Sequence, residues 1–143
     1  MLTKKVDIIY GRKSWRDNIM RLLGNLIWGI FGGWIAALCW MIIGLLWCVT
    51  VIGIPVGVQC FKMAGLAFNP FGKDVTFKGG AVKFIINVIW FFLGGMEMAL
   101  GHITIGLIYC VTVVGIPFGL QHFKIAKLAI CPFGAVIETK HIL

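Results

Sequence analysis

The sequence predicts an all-α polytopic membrane protein, built as a tandem repeat of two helical hairpins with about four membrane limbs. Of the 143 residues, 60% are hydrophobic and only 13% are charged, and the mean hydropathy is +0.99. Water-soluble domains carry roughly 25% charged residues. Two runs of about 40 residues, Leu22–Phe61 and Phe84–Phe123, contain a single charged residue, Glu97. Because one crossing needs about 20 apolar residues, each run has room for two limbs.

The second observation is that one apolar unit occurs twice, 62 residues apart. The unit that begins at Asn25 and the unit that begins at Asn87 share about 27 identities over 48 aligned positions, more than common hydrophobicity produces. The predicted organisation is a basic N-terminal segment (1–21), membrane repeat 1 (22–72), a basic linker (73–83), membrane repeat 2 (84–134) and a C-terminal tail (135–143).

The net charge of +8 is distributed as in a membrane protein. All 13 lysines and arginines lie before, between or after the apolar runs or near their ends, and none lies in the stretches where a hairpin would turn, 44–57 and 106–119. If each run crosses only once, these residues divide 9 to 4 between the two sides, so the hairpin fits the positive-inside tendency better. The sequence therefore predicts cytoplasmic N- and C-termini that face anionic lipid, and no nucleic acid partner.

The first long helix is predicted at Leu22–Trp47, and two interpretations of the segment before it stay open. Residues 1–21 either lie on the membrane surface as an amphipathic helix or form a loosely ordered tail. Gly29 and Gly33 form a GxxxG pair, which predicts the close approach of a second helix. Gly94 and Gly95 repeat part of this pattern.

A glycine-proline break follows the first helix of each repeat. Proline disrupts a helix interior but is favourable at the first position of a new helix, so the chain is predicted to turn or kink here. A hairpin turn explains the break, and paired breaks are also typical of a transport site between repeats. The predicted hinge residues are Gly53, Pro55, Gly57, Gly115, Pro117 and Gly119.

The second limb of each repeat is short. Pro55–Phe68 would form a helix of about 21 Å, less than the hydrocarbon core of about 30 Å. A short crossing, a re-entrant limb and a helix in the interface therefore all stay open. Polar residues recur along this limb and mark a candidate pore or polar membrane site, namely Gln59, Lys62, Gln121 and Lys124.

The segments GIPVGVQCFKMAGLAFNPFG and GIPFGLQHFKIAKLAICPFG resemble the hallmark of the YccF family of bacterial inner-membrane proteins, whose domain occurs in tandem copies. The resemblance covers nearly all of the chain after its N-terminal segment. It implies a small multi-pass protein of the bacterial inner membrane, and it supplies no activity and no catalytic residues.

Motifs for chemistry are sparse. The five cysteines are odd in number and show no CxxC spacing, so neither a disulfide framework nor a zinc site is predicted. His102, His122 and His141 are scattered and show no spacing typical of metal ligands. Without a nucleophile motif, a phosphate loop or paired carboxylates, we expect no enzyme, no catalytic residues, no cofactor and no metal.

Glu97 is the charged residue inside an apolar run, and His102 follows it five positions later. That spacing places the two side chains about 140° apart on a helix, so they do not face each other. A carboxylate within a membrane segment usually faces a partner or water. Ion or proton handling, a structural pair with Lys62, Lys124 or another subunit, and a place near the wet interface are the open interpretations.

Two functions of different classes are compatible with the sequence. The first is a homo-oligomeric channel or transporter for an ion or small solute, with Glu97 and the glycine-proline breaks along the path. The alternative is a non-conducting scaffold or accessory subunit that modulates a partner membrane protein. A four-limb chain encloses little on its own, so self-association is expected in either case.

Overall fold

The computed structural model describes residues 2–140, apart from the side chains of residues 2, 3, 6, 7, 9, 10 and 13. His141 lies outside this part of the chain. Each repeat contributes a helix, a kink, two antiparallel helices joined by a tight turn, and a β-strand. The elements are α1 (Leu2–Trp28), α2 (Trp34–Cys48), α3 (Ile54–Phe68), β1 (Lys73–Phe77), α4 (Ala81–Trp90), α5 (Met96–Cys110), α6 (Ile116–Ile130) and β2 (Ala135–Thr139).

The predicted single helix at Leu22–Trp47 is interrupted. Helix α1 begins at residue 2, so the N-terminal segment is helical, and the chain then kinks at Gly29–Gly33 before α2 starts. The cause is Gly32, whose φ of 105° lies in the left-handed region that glycine adopts at little cost. Gly94 repeats this feature at the second kink.

The predicted break is a hairpin turn in both repeats. The hydroxyl oxygen of Thr50 accepts a hydrogen bond from the amide of Gly53 at 3.2 Å, and a short helical turn at Val51–Gly53 leads into α3. Pro55 lies in the first turn of α3, where it needs no hydrogen-bond acceptor. Equivalent contacts at Thr112 form the turn between α5 and α6.

The predicted linker and tail each contain a strand, which the sequence pattern does not predict. Strands β1 and β2 pair antiparallel, with Val75 opposite Ile137 at the centre. These two residues are 62 positions apart, which is the offset of the repeat. A pseudo-twofold axis therefore passes through the middle of the sheet and exchanges the two repeats.

Each repeat fixes its own ends with the same side chains. In the first repeat, the Asn25 side chain donates to the carbonyl oxygen of Phe71 and accepts from its amide, and the indole of Trp28 donates to the carbonyl oxygen of Ala67 at 2.7 Å. These bonds join the end of α1 to the end of α3. The second repeat makes the same bonds with Asn87, Phe133, Trp90 and Ala129.

The core lies where α3 and α6 meet. Met63 and Leu66 of α3 and their equivalents Ile125 and Leu128 of α6 are all completely buried. Helix α6 contacts the sheet on one side, where Lys127 donates to the carbonyl oxygen of Val75. On its other side it packs along α5. The molecule therefore has three layers: the sheet, the α3/α6 pair and the α2/α5 pair.

Apolar side chains cover most of the remaining surface. Ile52, for example, is 92% exposed at the tip of the first hairpin. Such a surface requires lipid or another subunit. Within the described residues, three helical stretches are long and apolar enough to cross a membrane, at Ser14–Cys48, Val51–Phe68 and Ala81–Cys110.

Candidate functional site

Helices α2 and α5 run antiparallel, and their contacts set the position of the candidate site. At their centres, the indole N–H of Trp40 donates to Nε2 of His102 at 3.2 Å. At one end, the hydroxyl of Tyr109, late in α5, donates to the carbonyl oxygen of Phe31, just before α2, at 2.9 Å. Residue numbers therefore rise in opposite directions along the two helices. Because Trp40 and His102 are equivalent positions, the pseudo-twofold axis passes between them.

A groove of about 440 Å³ lies between these two helices. Its walls are mainly apolar and include Ile35 and Ile43 of α2 and Met98 and Ile105 of α5. His122 reaches it from α6. The groove therefore lies on the layer that faces away from the sheet, with polar groups only at a few points.

The polar groups in the groove form a directed chain of hydrogen bonds. An indole N–H can only donate, so Nε2 of His102 is an acceptor and the proton of its neutral ring is on Nδ1. Nδ1 of His102 lies 3.0 Å from Nδ1 of His122, so His122 accepts there and carries its own proton on Nε2. No described residue bonds Nε2 of His122. That N–H is an available donor beside the groove.

Aromatic rings hold His122 in this orientation. The ring of Tyr109 stacks on it, with centroids 5.5 Å apart and an angle of 15° between the planes. The ring of Trp28 lies 4.9 Å away on another side. Only 7% of His122 is exposed. The imidazole is therefore fixed by packing, and so is the direction of its free N–H.

A model of the YccF inner membrane component domain matches residues 23–73 and 85–135. The chain belongs to the YccF family. Relatives include the inner membrane protein YccF of Escherichia coli (strain K12) and that of Shigella flexneri. Each is 29% identical over an alignment of 128 residues, which covers 80% of this chain and 85% of the relative. No solved structure matches the chain. The protein is thus an inner-membrane protein with two YccF domains, and the groove lies between them.

Lys62 and Lys124, two residues of the predicted pore or polar membrane site, join the two YccF domains, while their role in a pore stays a prediction. The ammonium of Lys62 donates to the carbonyl oxygens of Pro132 at 2.9 Å and Ala135 at 3.0 Å. Lys124 donates to the carbonyl oxygen of Pro70 at 2.9 Å. Because Pro70 and Pro132 are equivalent positions, the bonds are reciprocal: each domain holds the turn that ends the other.

The two glutamines of the predicted polar stripe bond to their own helices. Gln121 donates to the carbonyl oxygen of Pro117 at 3.1 Å and accepts from Lys124 at 2.7 Å. Gln59 donates to the carbonyl oxygen of Pro55, while its own amide oxygen is buried without a partner. The stripe therefore lies apart from the groove, and of the predicted polar site residues only His102 lines it.

Glu97 lies on the exposed face of the first turn of α5. No hydrogen bond or ion pair joins it to another described residue, and the bridges to Lys62 and Lys124 do not form within the chain. Gly95, two residues earlier, lies beside Ala129 near the end of α6. Ion or proton handling, a bridge to another subunit and a place near the wet interface all stay predictions for Glu97.

The predicted packing glycines have different surroundings. A Cβ at Gly33 would overlap the indole of Trp28, and one at Gly95 would overlap that of Trp90. A Cβ at Gly29 or Gly94 would meet nothing within 4 Å. Gly33 and Gly95 thus make room for a tryptophan of their own repeat, and the close approach of a second helix stays a prediction for Gly29 and Gly94.

The predicted hinge residues Gly53, Pro55 and Gly57 lie at the hairpin turn, and Gly115, Pro117 and Gly119 lie at the equivalent turn. None of them lines the groove. The break thus has the geometry of a turn, while a hinge role in transport stays a prediction.

His122 is the residue that sequence reasoning missed. His102 and His122 are 20 residues apart in the sequence and show no spacing typical of metal ligands. The available signal was the residue at the equivalent position of the first repeat, Cys60, which is completely buried. A histidine on that inward face needs a polar partner. Within the described residues, no three histidine, cysteine or acidic side chains are grouped closely enough to hold a metal ion.

Proposed function

We propose that this protein transports an ion or a small solute across the inner membrane, with the groove between its two YccF domains as the solute site. The observation that carries this proposal is the bonded series Trp40, His102 and His122, whose first two members meet on the pseudo-twofold axis. Transporters built from repeats bind their substrates where the repeats meet. Polar groups within a membrane segment are costly to bury and are usually functional.

The chemistry of the groove limits the solute. Its volume of about 440 Å³ is in the range of small-molecule sites. The N–H of His122 offers one hydrogen bond to an acceptor, and no described charged side chain lines the groove. A small neutral solute with one acceptor fits this site. A proton also fits, since two imidazoles in contact can exchange one.

The transporting form is proposed to be a homo-oligomer. Within one chain the groove is open at the face away from the sheet, and the apolar side chains of both hairpins are exposed. Glu97 lies on that exposed surface, where lipid alone would leave its carboxylate unsolvated. A second copy would cover both the groove and Glu97.

The orientation in the membrane is proposed from the charges. Basic side chains surround the sheet. This charge indicates that the sheet lies on the cytoplasmic side of the membrane, next to anionic lipid. Both termini are then proposed to be cytoplasmic, since β2 belongs to the sheet and Arg21 of α1 bonds to the carbonyl oxygen of Lys140 beside it. The groove, at the other end of the axis, lies deeper in the bilayer.

The test is a flux measurement on the full-length protein in liposomes. A pH-sensitive dye inside reports proton flux, and light scattering after an osmotic step reports the uptake of glycerol and urea. We expect flux above that of empty liposomes, and at least a tenfold loss in His102→Phe and in His122→Cys, which introduces the residue of the equivalent position. Thr104→Val is the control, because Thr104 is exposed on the same helix. Flux that is absent, or unchanged in both histidine variants, would contradict the proposal.

The alternative is a non-conducting scaffold or accessory subunit. It is favoured by one observation, that Lys62 and Lys124 bond to backbone carbonyls of the opposite domain. In this case liposomes that contain the protein show no flux of any solute above that of empty liposomes. A partner membrane protein would then change its own activity when this chain is added, and Lys62→Met would reduce that effect by loosening the two domains.

A further inference from the structure

We propose that a pocket between α6 and β1 binds the phosphate group of an anionic phospholipid. The pocket has a volume of about 390 Å³ and is distinct from the groove. Its polar walls are Lys73, Asp74, Gln121, Lys124 and Lys140, which we call the lysine pocket. The inference deepens the proposed contact with anionic lipid and does not depend on transport.

The charges of the lysine pocket are incompletely balanced. Lys140 pairs with Asp74 at 2.7 Å, and Lys124 bonds to neutral oxygens of Pro70 and Gln121. The ammonium of Lys73 has no partner among the described residues. Three ammonium groups and one carboxylate leave a net charge of +2. A phosphate diester carries one negative charge and strong acceptor oxygens, so it matches this excess.

The surface beside the pocket favours a lipid over a free anion. Ile116 and Leu120, on the same helix as Lys124, line the pocket and are 41% and 53% exposed. An acyl chain attached to a phosphate in the pocket would lie along these residues and cover them. The lysines and this apolar edge together therefore fit an amphiphile.

The duplicated sequence provides an internal comparison. The equivalents of Lys124 and Lys140 are Lys62 and Lys78, but the positions equivalent to Lys73 and Asp74 are occupied by Ala135 and Val136. Lys78 already pairs with Glu138 at 2.9 Å. The second position thus has no counterpart of Lys73, whose ammonium bonds to no described residue, so we expect one bound phospholipid per chain, not two.

The test titrates the full-length protein in a neutral detergent with a short-chain phosphatidylglycerol and counts the bound molecules by native mass spectrometry. Phosphatidylcholine of the same chain length and inorganic phosphate are the comparison probes. We expect saturation at one phosphatidylglycerol per chain and weaker binding of both other probes. Lys73→Gln should weaken binding about five-fold, since one lysine near an anionic surface contributes about 1 kcal/mol. Lys78→Gln, which changes the equivalent of Lys140 in the second repeat-related position, should change it less than about two-fold.

Three results would overturn the inference. Equal binding of phosphatidylcholine would remove the role of charge, and equal binding of inorganic phosphate would mean that the site takes a free anion. An equal effect of Lys73→Gln and Lys78→Gln would indicate general attraction by the basic surface. An absence of flux in the liposome measurement would contradict the proposed transport but would not contradict the proposed binding of a phospholipid.

Discussion

Trp40 and His102 occupy equivalent positions in the two repeats and yet bond directly to each other, from the indole N–H to Nε2 at 3.2 Å. Two equivalent residues can meet only on the axis that relates them. The same axis passes between Val75 and Ile137 in the sheet. The duplicated chain therefore folds as an internal dimer, and the differences between its halves, such as histidine opposite tryptophan, lie at its centre.

Gly33→Ala should destabilise the protein, because the added Cβ overlaps the buried indole of Trp28. Overpacking of this kind costs about 1–3 kcal/mol. The matched control is Gly29→Ala, four residues earlier, where the added Cβ meets no atom within 4 Å. Thermal unfolding in detergent should show a lower Tm for Gly33→Ala alone. Equal changes in the two variants would mean that Trp28 does not pack against Gly33.

Asn87→Ala should also lower the Tm. Asn87 is 9% exposed and bonds to both the amide and the carbonyl oxygen of Phe133, so its removal leaves two backbone groups without partners, at a cost of about 1–3 kcal/mol for a buried group. Asn18→Ala is the control, because Asn18 is exposed on α1. If the Tm of Asn87→Ala equals that of the control, water replaces the asparagine at no cost.

Lys62→Met should loosen the contact between the two YccF domains. The methionine keeps most of the apolar stem but leaves the carbonyl oxygens of Pro132 and Ala135 without their donor. Hydrogen bonds to charged groups contribute about 1.5–3 kcal/mol. Chemical denaturation should reveal this loss, with Lys5→Met as an exposed control. A stability equal to the control would show that the two domains hold together without this lysine.

The sheet should make stability depend on acid pH. Lys140 donates a hydrogen bond to Asp74, which holds the pKa of that carboxyl below its ordinary value of 3.8, and Lys78 likewise holds the pKa of Glu138 below 4.5. A carboxyl with a lowered pKa in the folded state stabilises the protein above its ordinary pKa, and this contribution disappears as pH falls through the lowered value.

The Tm should therefore fall slightly between about pH 5 and pH 3. The effect is small because both ion pairs are well exposed. The double variant Asp74→Asn, Glu138→Gln should show a flatter curve over the same interval. A wild-type Tm that stays constant over this range would contradict the role of the two pairs.

Much of the fold follows from patterns that the sequence repeats. The apolar runs predict the membrane helices, and the glycine-proline breaks predict the hairpin turns, because proline restricts the backbone wherever it occurs. Asn25 and Trp28 recur at Asn87 and Trp90, and the structure uses all four in the same way. These patterns reflect local effects of the residues on the backbone, so they can be recognised from one sequence without related sequences.

The strands and the groove were beyond prediction because they depend on contacts between the repeats. Strands β1 and β2 have five residues each, too few for either strand to be recognised from the sequence alone. Each strand is stable only when it pairs with the other strand. The pairing of His102 with His122 requires that α5 and α6 pack face to face. The kink at Gly32 depends on the positive φ of this residue, and a glycine in the sequence does not by itself indicate a positive φ.

The antiparallel course of α2 and α5 also refines the predicted hairpins. Two upright hairpins that entered the bilayer from one side would place these helices parallel. The contacts of Trp40 with His102 and of Phe31 with Tyr109 show an antiparallel course instead. Whether the second limb of each repeat crosses, re-enters or lies in the interface stays a prediction, and the stretch Val51–Phe68 is long and apolar enough to cross.

The most direct test of this account is cross-linking of the protein in native membranes, since the account depends on the direction in which the two repeats pack. In a variant without the native cysteines, one cysteine replaces Phe31 and the second replaces either Tyr109 or Leu93. Leu93 is the equivalent of Phe31 and would be its neighbour if the repeats ran parallel. We predict that a short bismaleimide joins the 31/109 pair efficiently within one chain and leaves the 31/93 pair unlinked. Efficient linkage of 31/93, with none at 31/109, would contradict the antiparallel arrangement and the groove that it forms.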